Sequence, residues 1–429
     1  MKTIIKFLPI LIVLACTSNE TPVINPTTKV NSIPLSEDYI SQKTTYFTIN
    51  DGHIEGNGLA VWKELIATSQ FVMLGERHDS EATSQLVDAI LPMLNTTGFK
   101  HFAVEVGPHS AKKLVALSTP IEDTKKNLTA FTEEYAGKED HEIPIPFFRA
   151  TSDAKFLKTT RSLGMELWGL DQEYFYATEY FMDELLSFEE NSPEYKNLET
   201  TNKEVKAIIK KWYEKNADDN VEIDFFEEIQ KDSVVQKYLS HFRNRTDTDQ
   251  IIKDLEISWD IYSRWRNDSH ADRISYMRTN FMTQYTKALE KEKEPKVLLK
   301  FGGLHASKIL TNDCYDLGDL ITQIATQNGT QATILNSWHR YYIDSEGNEV
   351  DYLEKYPNYY NRLQLFMGLA KRDQWTLIDL KSIRNDIKNG NVILPTDGDY
   401  HRIKSLIDGY DYQLILPIDQ QSEGLVKNQ

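Results

Sequence analysis

Two stretches decide the fold of this chain: Phe71-Val72-Met73-Leu74-Gly75-Glu76-Arg77-His78 and Val297-Leu298-Leu299-Lys300-Phe301-Gly302-Gly303-Leu304-His305. Each begins with a short apolar run of the length and branching typical of a buried strand, and each continues into Gly-x-x-His. A glycine lets the backbone turn sharply at the carboxyl end of a strand, where an α/β sheet binds its ligands. We therefore expect His78 and His305 to meet at one site.

Apolar runs alternate with helical periodicity along most of the chain, which is typical of an α/β fold with a mainly parallel central sheet flanked by helices. We predict strands near 70–75, 101–106, 165–170, 296–301, 331–337, 375–380 and 411–416. We predict helices near 81–96, 108–117, 152–163, 268–292, 316–327 and 359–371. The strands that carry the two Gly-x-x-His stretches therefore belong to the same predicted sheet.

Between about 175 and 265 the pattern changes. This segment is long and charged, contains Trp212, Tyr238, Trp259 and Trp265, and lacks the alternation of a strand. We predict a helical insertion, or cap, between two parts of one sheet. Its aromatic side chains are more typical of packed helix faces than of a ligand-binding box.

The first sixteen residues predict an export signal. Lys2 and Lys6 precede the apolar stretch 7–15, which is shorter than the roughly 20 residues of a membrane-spanning helix. Leu14-Ala15-Cys16 resembles a bacterial lipoprotein processing site, at which Cys16 would be lipidated. The alternative is a buried N-terminal strand with an incidental cysteine.

Residues 17–45 are rich in Thr, Ser, Asn and Pro, which predicts a flexible tether. A single α/β domain that contains the helical insertion is predicted over 46–420. With a lipid on Cys16, we expect the protein at the cell envelope, on the outer membrane or a periplasmic face, and in contact with the membrane through the lipid anchor only.

The composition is acidic, with 65 Asp and Glu against 48 Lys and Arg and a formal net charge of −17. Such a surface disfavours nucleic acid and anionic lipid headgroups as partners, so we expect a small-molecule or peptide substrate. If Cys16 is lipidated, Cys314 has no partner for a disulfide, and stability depends on the core. The sequence lacks HExxH, P-loop, GxSxG and paired CxxC motifs, which argues against the common zinc-protease, nucleotide-binding and serine-hydrolase classes.

Acidic side chains near predicted strand ends are candidates for the same site. Glu105 lies in the apolar strand 101–106, where a carboxylate must be desolvated, paired or used. The alternative is a structural glutamate that accepts hydrogen bonds from backbone amides of the next turn. Asp171 follows the strand 165–170, either as part of the site or as the N-cap of a helix that begins near Gln172.

Glu76 and His78 occupy the turn after the first strand. Glu76 can orient the imidazole through one ring nitrogen and leave the other to accept a proton. Asp79 or Ser80 is expected to cap the following helix. His305 alone is compatible with a solvated loop histidine, but the two glycines before it indicate that a ligand or a neighbouring backbone comes close.

His109 follows Gly107-Pro108 at a predicted helix start, close to Glu105 in the sequence. It is therefore a candidate to contact and position Glu105. The other histidines lack a comparable setting and are interpreted as surface or packing residues. They are His53, His101, His141, His241, His270, His339 and His401.

Four segments carry a resemblance to a known family. Leu74-Gly75-Glu76-Arg77-His78-Asp79 and Phe102-Ala103-Val104-Glu105-Val106-Gly107 are similar to the N-terminal signature of the erythromycin esterase-like, ChaN-like and Tiki-like superfamily. Arg273-Ile274-Ser275-Tyr276-Met277-Arg278-Thr279-Asn280 resembles its Arg-Asp-x-x-Met-Ala-x-Asn helix, which leads into the strand before Gly302-Gly303-Leu304-His305. The stretch 408–417 resembles its closing strand. The resemblance spans about 55 to 418 and implies an α/β fold.

That superfamily includes hydrolases, metal-dependent peptidases and haem-binding lipoproteins, so the resemblance alone does not choose a function. The compact Gly-Glu-x-His-Asp is closer to the ChaN-like and Tiki-like pattern, whereas the length and the helical insertion are closer to the esterase branch. Ile274 stands where the family usually has aspartate, which removes one expected polar partner of Arg273.

Our main hypothesis is a hydrolase of ester, lactone or amide bonds. His78 would act as general base on the attacking water, Glu76 or Glu105 would hold its imidazole, and Arg273 or His305 would stabilise the oxyanion. Asp79, Asp171 and His109 are supporting candidates.

Three alternatives stay open. In a metal-dependent variant, His78, Glu105 and His305 would bind a divalent cation and leave a position open for water. A haem-binding lipoprotein would need an axial histidine or tyrosine and an apolar slot. An inactive binding lipoprotein of the same fold is slightly favoured by Ile274.

Overall fold

The structure is a computed structural model that describes residues 32–137, 142–216, 224–264, 269–360, 363–396 and 400–426. The predicted export signal, Cys16, most of the predicted tether, His141 and Trp265 lie outside the described residues. Within the described residues, no helix is both long and apolar enough to cross a membrane.

The strands are short, and most of them belong to one central sheet. In chain order they are β1 (Ile33–Pro34), β2 (Thr44–Asn50), β3 (His53–Glu55), β4 (Phe71–Glu76), β5 (Phe99–Val104), β6 (Glu166–Gly169), β7 (Lys296–Gly302), β8 (Ala332–His339), β9 (Tyr341–Ile343), β10 (Glu349–Asp351), β11 (Trp375–Asp379), β12 (Val392–Ile393), β13 (Tyr412–Leu416) and β14 (Asp419–Gln420).

Helices connect these strands and cover both faces of the sheet. In chain order they are α1 (Glu37–Ser41), α2 (Gly58–Thr68), α3 (Glu81–Thr96), α4 (Pro108–Leu117), α5 (Thr124–Tyr135), α6 (Thr151–Ser162), α7 (Thr178–Ser187), α8 (Tyr195–Asn216), α9 (Phe225–Lys231), α10 (Ser233–Phe242), α11 (Asp249–Ser263), α12 (His270–Leu289), α13 (Leu317–Asn328), α14 (Tyr352–Lys355), α15 (Pro357–Tyr360), α16 (Gln364–Met367), α17 (Leu380–Lys388) and α18 (Tyr400–Gly409).

The central sheet has the strand order β3-β2-β11-β13-β8-β4-β7-β5-β6. The strands from β13 to β6 in this order are all parallel to one another, whereas β3, β2 and β11 pair antiparallel at one side. The predicted fold, a mainly parallel sheet flanked by helices, is therefore confirmed. β4 lies between β7 and β8, so its carboxyl end opens between two parallel neighbours.

Alternation along β4 divides the core into two layers. Val72 and Leu74 pack into a cluster with helices α2, α3, α4 and α6, whereas Phe71 and Met73 pack on the other face of the sheet with α12 and α13. Both faces of a parallel sheet are covered by helices, and this is why its strands read as continuous apolar runs in the sequence.

The segment predicted as a helical insertion contains helices α7 to α11. Tyr238 and Trp259 are buried in its core, and Trp212 packs against the same cluster. These side chains therefore serve packing, as their pattern indicated.

Three predicted boundaries were wrong. The described part of the tether, from residue 32 to 45, is folded: Ile40 is fully buried in α1, and β1 pairs with β12. The strand predicted at 101–106 is β5, which ends at Val104, so Glu105 follows the strand. The described part of the helix predicted over 359–371 forms only the short helices α15 and α16.

Candidate active site

The site residues follow the carboxyl ends of four strands that are neighbours in the sheet. Glu76 ends β4, Gly302 ends β7 directly opposite it, Glu105 follows β5, and Asp171 lies two residues beyond β6. Parallel strands bring their carboxyl ends to one edge, so residues more than 200 positions apart become neighbours. The expectation that both Gly-x-x-His stretches contribute to one region is met by this geometry.

His78 lies between two carboxylates. Its Nδ1 is 3.1 Å from Glu76 Oε1, and its Nε2 is 3.9 Å from Glu105 Oε2. One face of the imidazole stacks on Phe147, with the ring centroids 3.9 Å apart, and 34% of the side chain stays exposed. Burial lowers the pKa of His78, but the hydrogen bond with Glu76 and the charge of Glu105 more than offset this, so the pKa is raised.

Gly302 leaves the space between His78 and Glu105 open. A Cβ at this position would lie 3.1 Å from His78 Nε2 and 3.5 Å from Glu105 Oε2. The backbone N–H of Gly302 donates a 2.6 Å hydrogen bond to Glu105 Oε2. A side chain at this position would therefore crowd His78, which gives the second Gly-x-x-His stretch a direct role at the first histidine.

Glu76 is buried and paired with Lys300, whose Nζ donates a 2.6 Å hydrogen bond to Glu76 Oε1. Burial raises the pKa of Glu76, but the charges of Lys300 and His78 outweigh it and lower the pKa. Lys300 was not recognised as a site residue from the sequence. The signal was present, because a lysine in the middle of the apolar run 297–301 has to be paired when it is buried.

Glu105 is held by three groups besides His78. Its Oε2 accepts the hydrogen bond from Gly302, and its Oε1 lies 3.1 Å from Arg273 Nη2 and 3.3 Å from His305 Nε2. Burial alone would raise the pKa of Glu105, but the positive charges of His305, His78 and Arg273 hold it well below its usual range. Glu105 is therefore ionised at neutral pH.

Arg273 has its carboxylate partners after strands β5 and β6, not on its own helix. Nη2 and Nε of Arg273 donate hydrogen bonds of 2.5 and 3.0 Å to the two oxygens of Asp171. The reading of Asp171 as a helix N-cap was wrong, since the next helical turn begins at Phe175 with Tyr174 as its cap. Ile274 is buried in the core, so an apolar residue at that position has a packing role.

His305 has acidic partners that its sequence neighbours did not reveal. Its Nδ1 is 2.7 Å from Asp316 Oδ2, and its Nε2 contacts Glu105. Burial lowers the pKa of His305, but Glu105 and Asp316 raise it to about 10. His305 is therefore an imidazolium at neutral pH. Asp316 was missed in the sequence because it lies eleven positions further on, where it caps α13.

The proposed metal ligands do not fit a cation in this arrangement. Nε2 of His78 and Nε2 of His305 both face Glu105, and Nδ1 of His305 contacts Asp316, so these side chains contact one another. Among the described residues, no group of three or more His, Cys, Asp or Glu side chains has an arrangement that could hold a metal ion.

The remaining candidates lie further out. Asp79 adopts a left-handed backbone conformation (φ 61°) and pairs with Arg149, while Ser80 caps α3 by accepting a hydrogen bond from Thr83. His109 is buried, and its Nε2 lies 2.8 Å from Asp254 Oδ2 on α11. His109 therefore connects α4 to the helical insertion.

A cavity of about 580 Å³ opens beside these strand ends, a volume typical of small-molecule sites. Its wall includes Glu76, Gly303 and Tyr410, whose hydroxyl donates a 2.9 Å hydrogen bond to the Gly303 carbonyl. Arg77 lines this cavity and also a smaller one that includes His78. Glu76 and Arg77 therefore face the larger cavity, and His78, the next residue in the chain, faces the smaller one.

No known family profile and no curated protein matches the sequence. Solved structures do match the fold. A mutant of erythromycin esterase EreC in its open conformation is 12% identical, with a TM-score of 0.51 over 89% of this chain and 100% of that one. A protein from Bacillus cereus is 14% identical, with a TM-score of 0.52 over 90% and 98% of the two chains. ChaN of Campylobacter jejuni, solved with cofacial haem, is 13% identical over 68% of this chain and 91% of its own.

The TM-score to ChaN is 0.30, and no argument rests on that structure. The match to erythromycin esterase covers 89% of this chain and the whole of the other. At 12% identity such a match shows the fold alone. The chain thus has the α/β fold of erythromycin esterase, as its sequence signature indicated.

Proposed function

We propose that this protein is a hydrolase of ester, lactone or amide bonds in which His78 is the general base. The observation that carries the proposal is the open space between His78 Nε2 and Glu105 Oε2. These atoms are 3.9 Å apart, a separation that one water molecule can bridge, and the absence of a side chain at Gly302 leaves room for it.

The chemistry follows from the contacts of the imidazole. When His78 is neutral, Nδ1–H donates to Glu76, and this fixes Nε2 as the basic nitrogen. Nε2 takes a proton from the water while the water oxygen bonds to the carbonyl carbon of the substrate. The bond from that carbon to the leaving group then breaks, and His78 returns the proton to the leaving group.

Glu76 and Glu105 have separate roles in this proposal. Glu76 orients His78 and stabilises the imidazolium that forms, and Lys300 keeps Glu76 ionised. Glu105 accepts a hydrogen bond from the second O–H of the water, which keeps that hydrogen. Arg273 and His305 contact Glu105 and are best placed to position it, which is a different role from the oxyanion contact that the sequence suggested for them.

The activity is expected to depend on pH through the raised pKa of His78. Protonated His78 cannot act as a base, so kcat/KM should rise with pH through a pKa above the ordinary value of 6.5. Replacement of Glu76 by glutamine removes one of the charges that raises the pKa, and the acid limb should move to lower pH. A pH profile of both proteins measures the shift. An acid limb that is unchanged by Glu76→Gln would contradict the assignment of this limb to His78.

Two alternatives compete with the hydrolase: a haem-binding protein, and an inactive binding protein of the same fold. The contacts do not favour haem ligation, because the nitrogens of His78 and His305 lie against Glu76, Glu105 and Asp316. The buried ion pair between Lys300 and Glu76 costs desolvation energy, and this favours a function for Glu76 over an inactive protein.

A panel of ester, lactone and peptide substrates, assayed with and without chelator, tests the hydrolase directly.

We also propose that the chain is a lipoprotein anchored at the cell envelope through Cys16. The support is the arrangement of Lys2, Lys6, the apolar stretch 7–15 and Cys16. Cells that express the protein should incorporate a labelled fatty acid into it, and Cys16→Ser should abolish the label and release the protein from the membrane fraction. Membrane association that persists in Cys16→Ser would overturn the proposal.

A further inference from the structure

Arg77 is a cation that lines the cavity and has no acidic partner among the described residues. Its Nη1 contacts both ring nitrogens of His339, at 3.0 Å from Nδ1, and its guanidinium carbon lies 5.3 and 5.5 Å from the ring centroids of Tyr342 and Tyr352. Burial and the charge of Arg77 lower the pKa of His339 to about 3, so this imidazole is neutral. Every group that holds Arg77 is therefore uncharged.

Three other cations at the strand ends are paired with carboxylates. Arg273 contacts Asp171 and Glu105, Lys300 contacts Glu76, and His305 contacts Asp316. Arg77 differs from these three cations, because it is exposed at the cavity and has no carboxylate in contact among the described residues.

Asp79 and Asp419 line a smaller cavity together with Arg77, but neither forms an ion pair with it among the described residues. Asp79 accepts a 3.2 Å hydrogen bond from Arg149, and Oδ1 of buried Asp419 accepts a 3.0 Å hydrogen bond from the backbone N–H of Ala82. Burial raises the pKa of Asp419, and the charge of Arg77 offsets part of that rise without direct contact. Glu76 is the one acidic residue among the described residues that line the cavity, and it is paired with Lys300. The charge of Arg77 is therefore available to a ligand.

The rest of the cavity wall fits an amphipathic molecule. Leu304, Ile309, Leu310 and Trp338 supply apolar surface, and the exposed side chains His401 and Arg402 add basic character. Ser337 and Ser405 add polar side chains to the same wall.

We propose that the substrate of this site carries an anionic group, a carboxylate or a phosphate, at one end of an apolar body, and that Arg77 binds this group. This inference rests on the proposed hydrolase function, because it places the scissile bond near His78 and the charged end at Arg77. The neutral imidazole and the two tyrosine rings fix the guanidinium for recognition of planar or tetrahedral oxyanions.

Calorimetry with non-hydrolysable probes tests the binding without any need for activity. Octanoate represents the carboxylate, octyl phosphate the phosphate, and octanamide the neutral body. The full chain should bind at least one anionic probe about tenfold more tightly than octanamide, and Arg77→Gln should lose that preference. Arg264→Gln, which removes an exposed arginine of the helical insertion, is the matched control and should bind like the wild type. Equal affinity for all three probes, or an anionic preference retained in Arg77→Gln, overturns the proposal.

Kinetics separate this role from a catalytic one. The mono-p-nitrophenyl ester of octanedioate should be hydrolysed with a higher kcat/KM than p-nitrophenyl octanoate, and Arg77→Gln should raise KM about tenfold for the anionic ester alone. An equal fall of kcat for both esters would mean that Arg77 serves the reacting carbonyl, and the proposal would be wrong. Binding of the anionic probes without hydrolysis of any ester would instead refute the hydrolase and leave the anion site intact.

Discussion

Replacing His78 with alanine is expected to lower kcat/KM for hydrolysis by about 10²–10⁴-fold, the contribution that a positioned general base makes. Nε2 is the nitrogen left free by the contact with Glu76, and no other described imidazole near it is neutral and aimed at the same space, because His305 has its pKa raised to about 10. The measurement is steady-state hydrolysis of the best ester or lactone of a substrate panel. Hydrolysis in the presence of a chelator should be unchanged.

Two further variants show whether the loss of activity comes from the loss of the general base and not from a general effect of substitution. Gly302→Ala places a methyl group 3.1 Å from His78 Nε2 and 3.5 Å from Glu105 Oε2, so it should reduce kcat as strongly while both carboxylates and the histidine remain. His53→Ala removes an exposed histidine of β3, away from the parallel strand ends, and should keep full activity. Thermal unfolding of His78→Ala should match the wild type, because Glu76 keeps its partner Lys300. Full activity in His78→Ala would end the base assignment.

The residues of the site could be predicted largely from strand ends. Glu76, His78 and His305 follow apolar runs, and Glu105 and Asp171 follow two more, so the topology of a parallel sheet was enough to expect them together. The sequence did not show which of these side chains contact one another. Which oxygen of Glu105 contacts Arg273 depends on how α12 packs across β6, and no local pattern encodes that packing.

The errors in the predicted fold also have physical causes. β2 and β3 are an antiparallel extension of the sheet, and β2 lies next to a stretch whose Thr, Ser and Pro content suggested a tether, although Leu35 and Ile40 in that stretch are buried. The predicted helix 359–371 contains apolar residues at helical spacing, but the described part of it forms only the short helices α15 and α16. Tertiary packing overrides local propensity in such short segments.

Lys300 links the stability of the fold to the chemistry of the site. It is a buried lysine whose side chain is 6% exposed, and its only carboxylate within ion-pair distance among the described residues is Glu76, which is 2% exposed. The free energy of a buried pair is asymmetric. Removal of both charges is nearly neutral, whereas removal of one leaves an uncompensated charge in a medium of low polarity. A buried ion pair can therefore be distinguished from a surface ion pair by comparing the stability of the single variants with that of the double variant.

Lys300→Met is therefore expected to lower the free energy of unfolding by about 3–5 kcal/mol, measured by urea denaturation at neutral pH. The double variant Glu76→Gln with Lys300→Met should recover most of that loss, because no buried charge is left without a partner. Lys100→Met is the matched control: Lys100 lies on the neighbouring strand β5 in an exposed pair with Glu292 at 3.5 Å, and its loss should cost less than about 1 kcal/mol. A Lys300→Met protein as stable as Lys100→Met would show that Glu76 is not held by Lys300. Both the orientation of His78 and the raised pKa that depends on Glu76 would then need another cause.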